Sequence, residues 1–173
     1  MQTRPLEPAR FLPNPGRLFL AASIGLVVQS ASASALEVTR ARVVSAPPAA
    51  VWSLIGGFCD IARWHPQVTR CTLSTEEGAP VRALVAAGGL GTLVEIETAR
   101  DEAAFSYSYR LVSGPLPVKG YVATLSVAPI GKGSTITWTA RFEADGMTEA
   151  EAVADVAGVY EAGLAGIARE AAP

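Results

Sequence analysis

The fold is decided by the stretch Ala46-Pro47-Pro48-Ala49-Ala50-Val51-Trp52 and by the triplet Trp64-His65-Pro66 that follows it. Before this stretch, residues 36–45 are rich in side chains typical of strands, and the two prolines suit the first turn of a helix. Apolar residues within 51–55 form one stripe of that helix, and Pro66 ends the helical segment. The pattern predicts a strand, then a short helical elbow that carries the only histidine, His65, at its end.

Six further strands and one long helix are predicted after the elbow, because apolar and polar residues alternate between turn signals. The strands cover residues 68–75, 81–86, 92–99, 105–112, 121–127 and 135–142. Thr148 and Glu151 have the spacing of a capping box at the start of the helix. The apolar stripe of that helix consists of Val153, Val156, Ala157, Tyr160, Leu164 and Ile167. We therefore expect an α+β fold in which a curved, seven-stranded antiparallel sheet wraps a C-terminal helix around a cavity.

Residues 37–170 resemble the superfamily of START, Bet v 1 and polyketide cyclase/dehydrase-like domains. The resemblance rests on both elbow segments, on Pro117-Val118-Lys119-Gly120-Tyr121 and on Ala157-Gly158-Val159-Tyr160-Glu161-Ala162-Gly163-Leu164. It implies a helix-grip, Bet v 1-like fold with two short helices after the first strand. The superfamily contains carriers, hormone receptors and a few enzymes, so the resemblance implies an architecture more closely than a chemistry.

The first 35 residues are predicted to be an export signal. Three arginines precede an apolar run at residues 18–28, and Ala33-Ser34-Ala35 offers a cleavage site before Leu36. The run is shorter than the roughly 20 residues of a membrane span, although an uncleaved anchor is the alternative. We expect a periplasmic protein whose domain is residues 36–173, with no stable membrane association after cleavage.

The charge of the chain argues against two classes of partner. The formal net charge is −2 for the whole chain, and removing the export signal takes it to about −4. Nucleic acids and anionic membrane surfaces bind basic faces, so we expect no nucleic acid as a partner. We also expect no cofactor, and one histidine with two separated cysteines gives no metal-binding pattern.

Cys59 and Cys71 are the only cysteines. Their spacing allows a disulfide in an exported protein, provided that the two Cα atoms come within about 7 Å of each other. Because Cys59 falls in the elbow and Cys71 in the next strand, two buried thiols are the favoured alternative.

Strand parity predicts which side chains line the cavity, since successive residues of a strand point to opposite faces. Trp138 falls on the apolar face of the last strand, and Tyr107 and Tyr109 share one face of the fifth strand. An aromatic face of this kind forms either the core or a cavity wall. Glu95 and Glu97 share a face of the fourth strand, and they are either inside or solvated, because carboxylates are rarely buried without partners.

The resemblance adds residues and loops to this cavity. It implies that Glu95 points into the pocket and that Tyr121 matches a pocket tyrosine of plant abscisic acid receptors. Residues 87–91 and 113–117 match the two loops at the mouth of those receptors, although ordinary hairpins are the alternative. Thr69 replaces the lysine that anchors the hormone's carboxylate there, so the same acidic ligand is not expected. The predicted ligand-binding residues are Thr69, Cys71, Glu95, Glu97, Tyr107, Tyr109, Tyr121, Trp138, Val156 and Tyr160.

Three functions fit these features. A periplasmic binding or carrier protein for a hydrophobic or amphipathic small molecule needs only the cavity. A polyketide cyclase/dehydratase-like enzyme would use Glu95, His65 and Tyr121 as acid/base groups, whereas a histidine before Pro66 is more typical of a cap or a packing contact. Similarity to small exported bacterial members, among them a periplasmic accessory protein of methanol oxidation, suggests an accessory factor that has a periplasmic dehydrogenase as its protein partner. A pocket of about 300 Å³ or more would favour the ligand, and a filled core would favour the accessory role.

Overall fold

The structure is a computed structural model that describes residues 35–172. The predicted export signal, residues 1–35, lies outside the described residues except for Ala35. Among the helices of the described segment, none has the length and apolar composition needed to cross a membrane.

The described residues form seven strands and three α-helices. Their bounds in chain order are β1 Leu36–Val44, α1 Pro48–Ile55, α2 Ile61–Trp64, β2 Val68–Glu76, β3 Ala79–Ala86, β4 Thr92–Asp101, β5 Ser106–Ser113, β6 Val118–Ile130, β7 Gly133–Ala144 and α3 Glu149–Glu170. A 3₁₀ turn at Ala87–Gly89 precedes β4. Each element coincides with a predicted one, and the boundaries differ by a few residues.

The strands form one curved antiparallel sheet with the order β1-β7-β6-β5-β4-β3-β2. β1 and β2 are therefore its edges, and the elbow formed by α1 and α2 connects them in the chain. The predicted helix-grip fold, with two short helices after the first strand, is confirmed.

The core lies between the concave face of the sheet and α3. Trp138, which strand parity places on the apolar face of β7, is buried, and so are Ile136, Ala140 and Phe142 on the same face. α3 begins with the predicted capping box, since Thr148 Oγ1 accepts a hydrogen bond from the Glu151 backbone N–H at 3.3 Å. In return, the Glu151 carboxylate accepts one from the Thr148 N–H at 2.9 Å. The box satisfies two donors that the first turn of a helix leaves unpaired.

Two glycines allow α3 to lie directly against the elbow. A Cβ atom at Gly163 would come within 2.7 Å of the His65 and Trp138 side chains. At Gly166 it would overlap the backbone carbonyl oxygen of Trp64. Each glycine costs about 1 kcal/mol in a helix interior relative to alanine, and here the close packing offsets that cost.

A disulfide joins Cys59 and Cys71, whose Cα atoms are 5.5 Å apart. The favoured prediction of two buried thiols is therefore wrong. The elbow turns back after α1, so Cys59 comes to lie beside β2, the strand that contains Cys71. This bond fixes the elbow to an edge of the sheet.

Candidate functional site

A cavity of about 530 Å³ lies between the sheet and α3. Most of its wall is apolar, with contributions from β3, β4, the elbow and α3. The two loops expected at the mouth both contribute, through Leu90 on one side and residues 115–117 on the other. These loops face each other, since a Cβ atom at Gly91 would lie 3.6 Å from Pro115.

An ion pair is buried in the cavity wall. Arg82 in β3 lies directly opposite Glu95 in β4, and its Nε donates to Glu95 Oε2 at 2.6 Å. The two side chains are 0% and 6% exposed. Arg82 Nη1 also donates to the Phe58 carbonyl oxygen at 2.8 Å, and its guanidinium carbon lies 4.2 Å from the centre of the Phe58 ring. These contacts supply partners for two of the three guanidinium nitrogens, whereas Arg82 Nη2 has no hydrogen-bond partner among the described residues.

The pair keeps Arg82 charged. Burial alone would lower the pKa of the guanidinium, but the adjacent Glu95 carboxylate outweighs it and raises that pKa above its usual range. The cavity wall therefore contains one positive and one negative group in direct contact.

Three tyrosines and Trp138 form an aromatic cluster in the same wall. Trp138 Nε1 donates to Tyr109 Oη at 2.9 Å, and the Oη atoms of Tyr121 and Tyr160 are 2.5 Å apart. The Trp138 ring stacks on Tyr160, with ring centroids 4.3 Å apart and planes 7° from parallel. Burial raises the pKa of all three tyrosines, so their hydroxyls stay protonated and can donate hydrogen bonds.

His65 also lines the cavity, but backbone groups occupy both of its ring nitrogens. Nδ1 accepts a hydrogen bond from the Gln67 N–H at 3.1 Å, and Nε2 lies 3.0 Å from the Val159 carbonyl oxygen of α3. A nitrogen that accepts carries no proton, so these contacts require the neutral tautomer in which Nε2 donates. Burial lowers the His65 pKa to about 4, which agrees with a neutral ring. The imidazole thus joins the elbow to α3.

The structure brings six of the predicted residues together. Those at the cavity wall are Glu95, Tyr109, Tyr121, Trp138, Tyr160 and the acid/base candidate His65. The other five, Thr69, Cys71, Glu97, Tyr107 and Val156, are not part of the wall, and each has a different local environment.

Three of these five residues are polar or contain sulfur. The Thr69 hydroxyl donates to the Val85 carbonyl oxygen at 3.1 Å, on the exposed edge of the sheet. Cys71 is bonded to Cys59. Glu97 accepts two hydrogen bonds from Arg100, at 2.6 and 2.9 Å, so a neighbour on its own strand holds its carboxylate outside the cavity.

The other two residues, Tyr107 and Val156, pack against apolar side chains. Tyr107 shares a face of β5 with Tyr109, but at its position α1 and the loop that follows α1 cover the sheet. Its ring lies 6.0 Å from that of Trp52 and 5.7 Å from that of Phe58. Val156 lies on the fully packed side of α3 and is 1% exposed.

Sequence reasoning missed Arg82, Asp155 and Gly158, which all line the cavity. Arg82 interrupts an apolar strand and has the parity of the inward residue Leu84, a signal from which it could have been found. Gly158 lies in α3 where a Cβ atom would meet nothing within 4 Å. Over residues 35–172, no three histidine, cysteine, aspartate or glutamate side chains lie close enough together to hold a metal ion.

Solved structures similar to this chain share its architecture. XoxI from Bacillus cereus is 28% identical, with a TM-score of 0.72 over 78% of this chain and 94% of that one. A Thermobifida fusca protein is 33% identical, with a TM-score of 0.66 over 78% of this chain and 92% of that one. The Zhui aromatase/cyclase from Streptomyces sp. R1128 is 19% identical, with a TM-score of 0.66 over 80% and 94%, a likeness of fold alone.

No curated protein matches the chain. A family model described as polyketide cyclase/dehydrase and lipid transport matches residues 35–172, which is the whole of the described domain. The chain therefore belongs to the polyketide cyclase/dehydrase and lipid transport family.

Proposed function

We propose that this protein is an exported, periplasmic protein that binds a hydrophobic or amphipathic small molecule between the sheet and α3. The observation that carries the proposal is the cavity of about 530 Å³ with its mostly apolar wall. Small-molecule sites typically have volumes of about 300 to 1,000 Å³ and a few polar groups in an apolar lining. An accessory factor that acted only through its surface would need no such space.

The polar groups of the cavity support binding rather than acid/base catalysis. A general acid or base works best with a pKa near the operating pH and a proton that can reach the substrate. His65 is neutral and held by two backbone groups, and Glu95 is held by Arg82. The tyrosines are donors whose pKa lies above the usual range. The cyclase/dehydratase-like enzyme and the accessory factor for a dehydrogenase stay predictions.

The Cys59–Cys71 disulfide supports the proposed location. Disulfides persist in oxidising compartments such as the bacterial periplasm and are rare where thiols are kept reduced. N-terminal sequencing of the secreted protein tests this part of the proposal. We expect a start at or near Leu36, and a mature protein that still carried the arginine-containing segment would contradict it.

The binding function is tested first on protein purified from its own periplasm. Native mass spectrometry is expected to detect the chain with the added mass of a small molecule. In a second assay the purified protein is titrated with Nile red, an uncharged dye whose fluorescence rises in apolar surroundings. If no added mass appears and Nile red does not bind, the proposal is wrong.

A matched pair of variants locates the binding in the cavity. A Cβ atom at Gly158 would meet no other atom within 4 Å, so a larger side chain there extends into open space. Gly158→Leu is expected to weaken Nile red binding at least tenfold without lowering the melting temperature. Gly158→Ala, the control, should bind Nile red with an affinity within about twofold of that of the parent. If Gly158→Leu binds Nile red as the parent does, the dye binds elsewhere and the proposal fails.

A further inference from the structure

The two buried charges of the cavity wall, those of Arg82 and Glu95, cancel each other. Arg82 and Glu95 contribute one charge of each sign and are in direct contact, and His65 is neutral. Among the described residues that line the cavity, the remaining charged one is Asp155, which is exposed on α3. Arg82 Nη2 has no hydrogen-bond partner and can donate to a ligand, but the described lining offers no cation whose charge is not already matched by a carboxylate.

The hydroxyl groups of the tyrosine cluster carry more protons than the cluster has hydrogen bonds to use them. Tyr109 accepts from Trp138, and Tyr121 and Tyr160 share one hydrogen bond. Each of the three hydroxyls carries its own proton, and the one hydrogen bond between Tyr121 and Tyr160 uses only one of these three protons. Within residues 35–172 none of the three donates to Glu95. At least one phenolic O–H in the wall is therefore available to a ligand.

An uncharged oxygen acceptor satisfies both conditions. A carboxylate could accept from the hydroxyl, but it would be buried near Glu95 without a free cation, and an unpaired buried charge is costly. An ammonium group would lie near hydroxyl donors and the Arg82 guanidinium, and the positive charge of that guanidinium would repel it. A hydrocarbon would leave the buried O–H without an acceptor, which also costs free energy.

We propose that the ligand is uncharged and presents an oxygen acceptor, of which a ketone carbonyl is the simplest, to the tyrosine cluster. The inference rests on the proposed binding function and adds the chemical class of the ligand. Its apolar body lies along the wall between β3, β4 and α3, where Gly158 leaves room.

Four probes that share a naphthalene body test this inference by displacement of Nile red. They are 2-acetylnaphthalene, 2-isopropylnaphthalene as the hydrocarbon of the same shape, 2-naphthoate, and 1-(2-naphthyl)ethylamine. At pH 7.5 the ketone is expected to bind at least tenfold more tightly than the acid or the amine. An acid or amine that binds as well as the ketone overturns the inference.

Variants separate the hydrogen bond from hydrophobicity, because each probe is compared with itself. The double variant Tyr121→Phe/Tyr160→Phe removes both partners of one hydrogen bond, and Tyr109→Phe removes the third hydroxyl. At least one of the two variants is expected to lower the affinity for the ketone about fivefold and to change the affinity for the hydrocarbon less than twofold. If each variant changes the affinities for the ketone and the hydrocarbon by the same factor, the proposed acceptor contact is wrong.

A variant of Glu95 tests whether its negative charge excludes an anionic ligand. Glu95→Gln keeps an oxygen that can accept from Arg82 Nε but removes the negative charge. We expect this variant to raise the affinity for 2-naphthoate about tenfold relative to the affinity for the ketone, and an unchanged ratio of the two affinities contradicts the inference. If Nile red binds in the cavity but none of the four probes does, the ligand class is wrong and the binding function stands. If Nile red does not bind in the cavity either, both the ligand class and the binding function are wrong.

Discussion

The two halves of α3 lie against the rest of the molecule in opposite ways. The half after Tyr160 packs on the elbow without space, because Gly163 and Gly166 bring its backbone to His65 and Trp64. The half before Tyr160 borders the cavity, and its glycine, Gly158, faces open space. The same residue type therefore serves close contact in one half and an empty volume in the other. A glycine in a helix has no fixed meaning until its surroundings are known.

The two halves also differ in polarity. The wall opposite the open half contains the Arg82–Glu95 pair and the hydroxyls of Tyr109 and Tyr121. The packed half lies against aromatic rings and one neutral histidine. We expect substitutions to affect the two halves differently, and four experiments test this difference.

The largest effect is expected from the ion pair of the open half. Arg82→Met leaves Glu95 buried without its partner, and breaking a buried pair in this way costs about 4 kcal/mol in the free energy of unfolding. The double variant Arg82→Met/Glu95→Leu removes both charges and should recover most of that loss. Urea denaturation measures both, and a double variant no more stable than the single one would show that packing, not charge, sets the cost.

The next largest effect is expected in the packed half. Gly166→Ala places a methyl group on the Trp64 carbonyl oxygen, and a backbone atom at the end of α2 cannot move aside as a flexible side chain would. We expect the free energy of unfolding to fall by about 3 kcal/mol, the upper part of the usual range for overpacking. Thermal and urea denaturation would contradict this packing if the variant were as stable as the parent.

The contact between the elbow and α3 is also expected to be sensitive to acid. The pKa of His65 is about 4 in the folded protein, against the ordinary value of 6.5 for a histidine exposed to water, so the unfolded chain binds a proton at higher pH. Stability therefore falls as the pH drops from about 6.5 to about 4, by at most about 3 kcal/mol, and is unaffected by His65 above pH 7.

A series of urea denaturations between pH 7.5 and 4 measures this dependence, and His65→Asn is the control. Glu102 and Glu151 have lowered pKa values, so their titration also reduces stability at acidic pH. The difference between the parent and His65→Asn isolates the imidazole. If the two proteins show the same slope in this range, His65 is not the group responsible.

The smallest effect is expected at Gly158. Alanine is better than glycine in a helix interior by about 1 kcal/mol, and a methyl group here meets no other atom within 4 Å. Gly158→Ala should therefore raise the free energy of unfolding by up to about 1 kcal/mol, the opposite sign to Gly166→Ala. A loss of stability at Gly158 would mean that both halves of α3 are packed, and the comparison would fail.

Sequence parity predicted the faces of the strands but not positions along them. Tyr107 and Tyr109 have the same parity, yet the elbow covers Tyr107 and leaves Tyr109 at the cavity. Glu95 and Glu97 also share a parity, but the register of β4 against β5 shifts after Glu97. Arg100 donates hydrogen bonds to the Glu97 carboxylate. Parity cannot contain this information, because it depends on what packs over each point of the sheet.

The partners of buried polar groups were harder still to predict. Arg82 binds Glu95 because β3 and β4 place them opposite each other, and that register is a property of the folded sheet. The approach of Cys59 to Cys71 likewise depends on how sharply the elbow turns back. By contrast, the capping box of Thr148 and Glu151 is local, and its spacing was enough to predict it.

The disulfide has a mechanical consequence. It closes a covalent ring between residues separated by 12 positions, and that ring contains α2 and His65. If the chain is pulled from its two ends, the segment inside the ring cannot extend. An oxidised molecule should therefore release roughly 40 Å less contour length on unfolding than a reduced one, at about 3.5 Å per residue. The segment that anchors α3 stays folded back into a short loop even in the stretched chain.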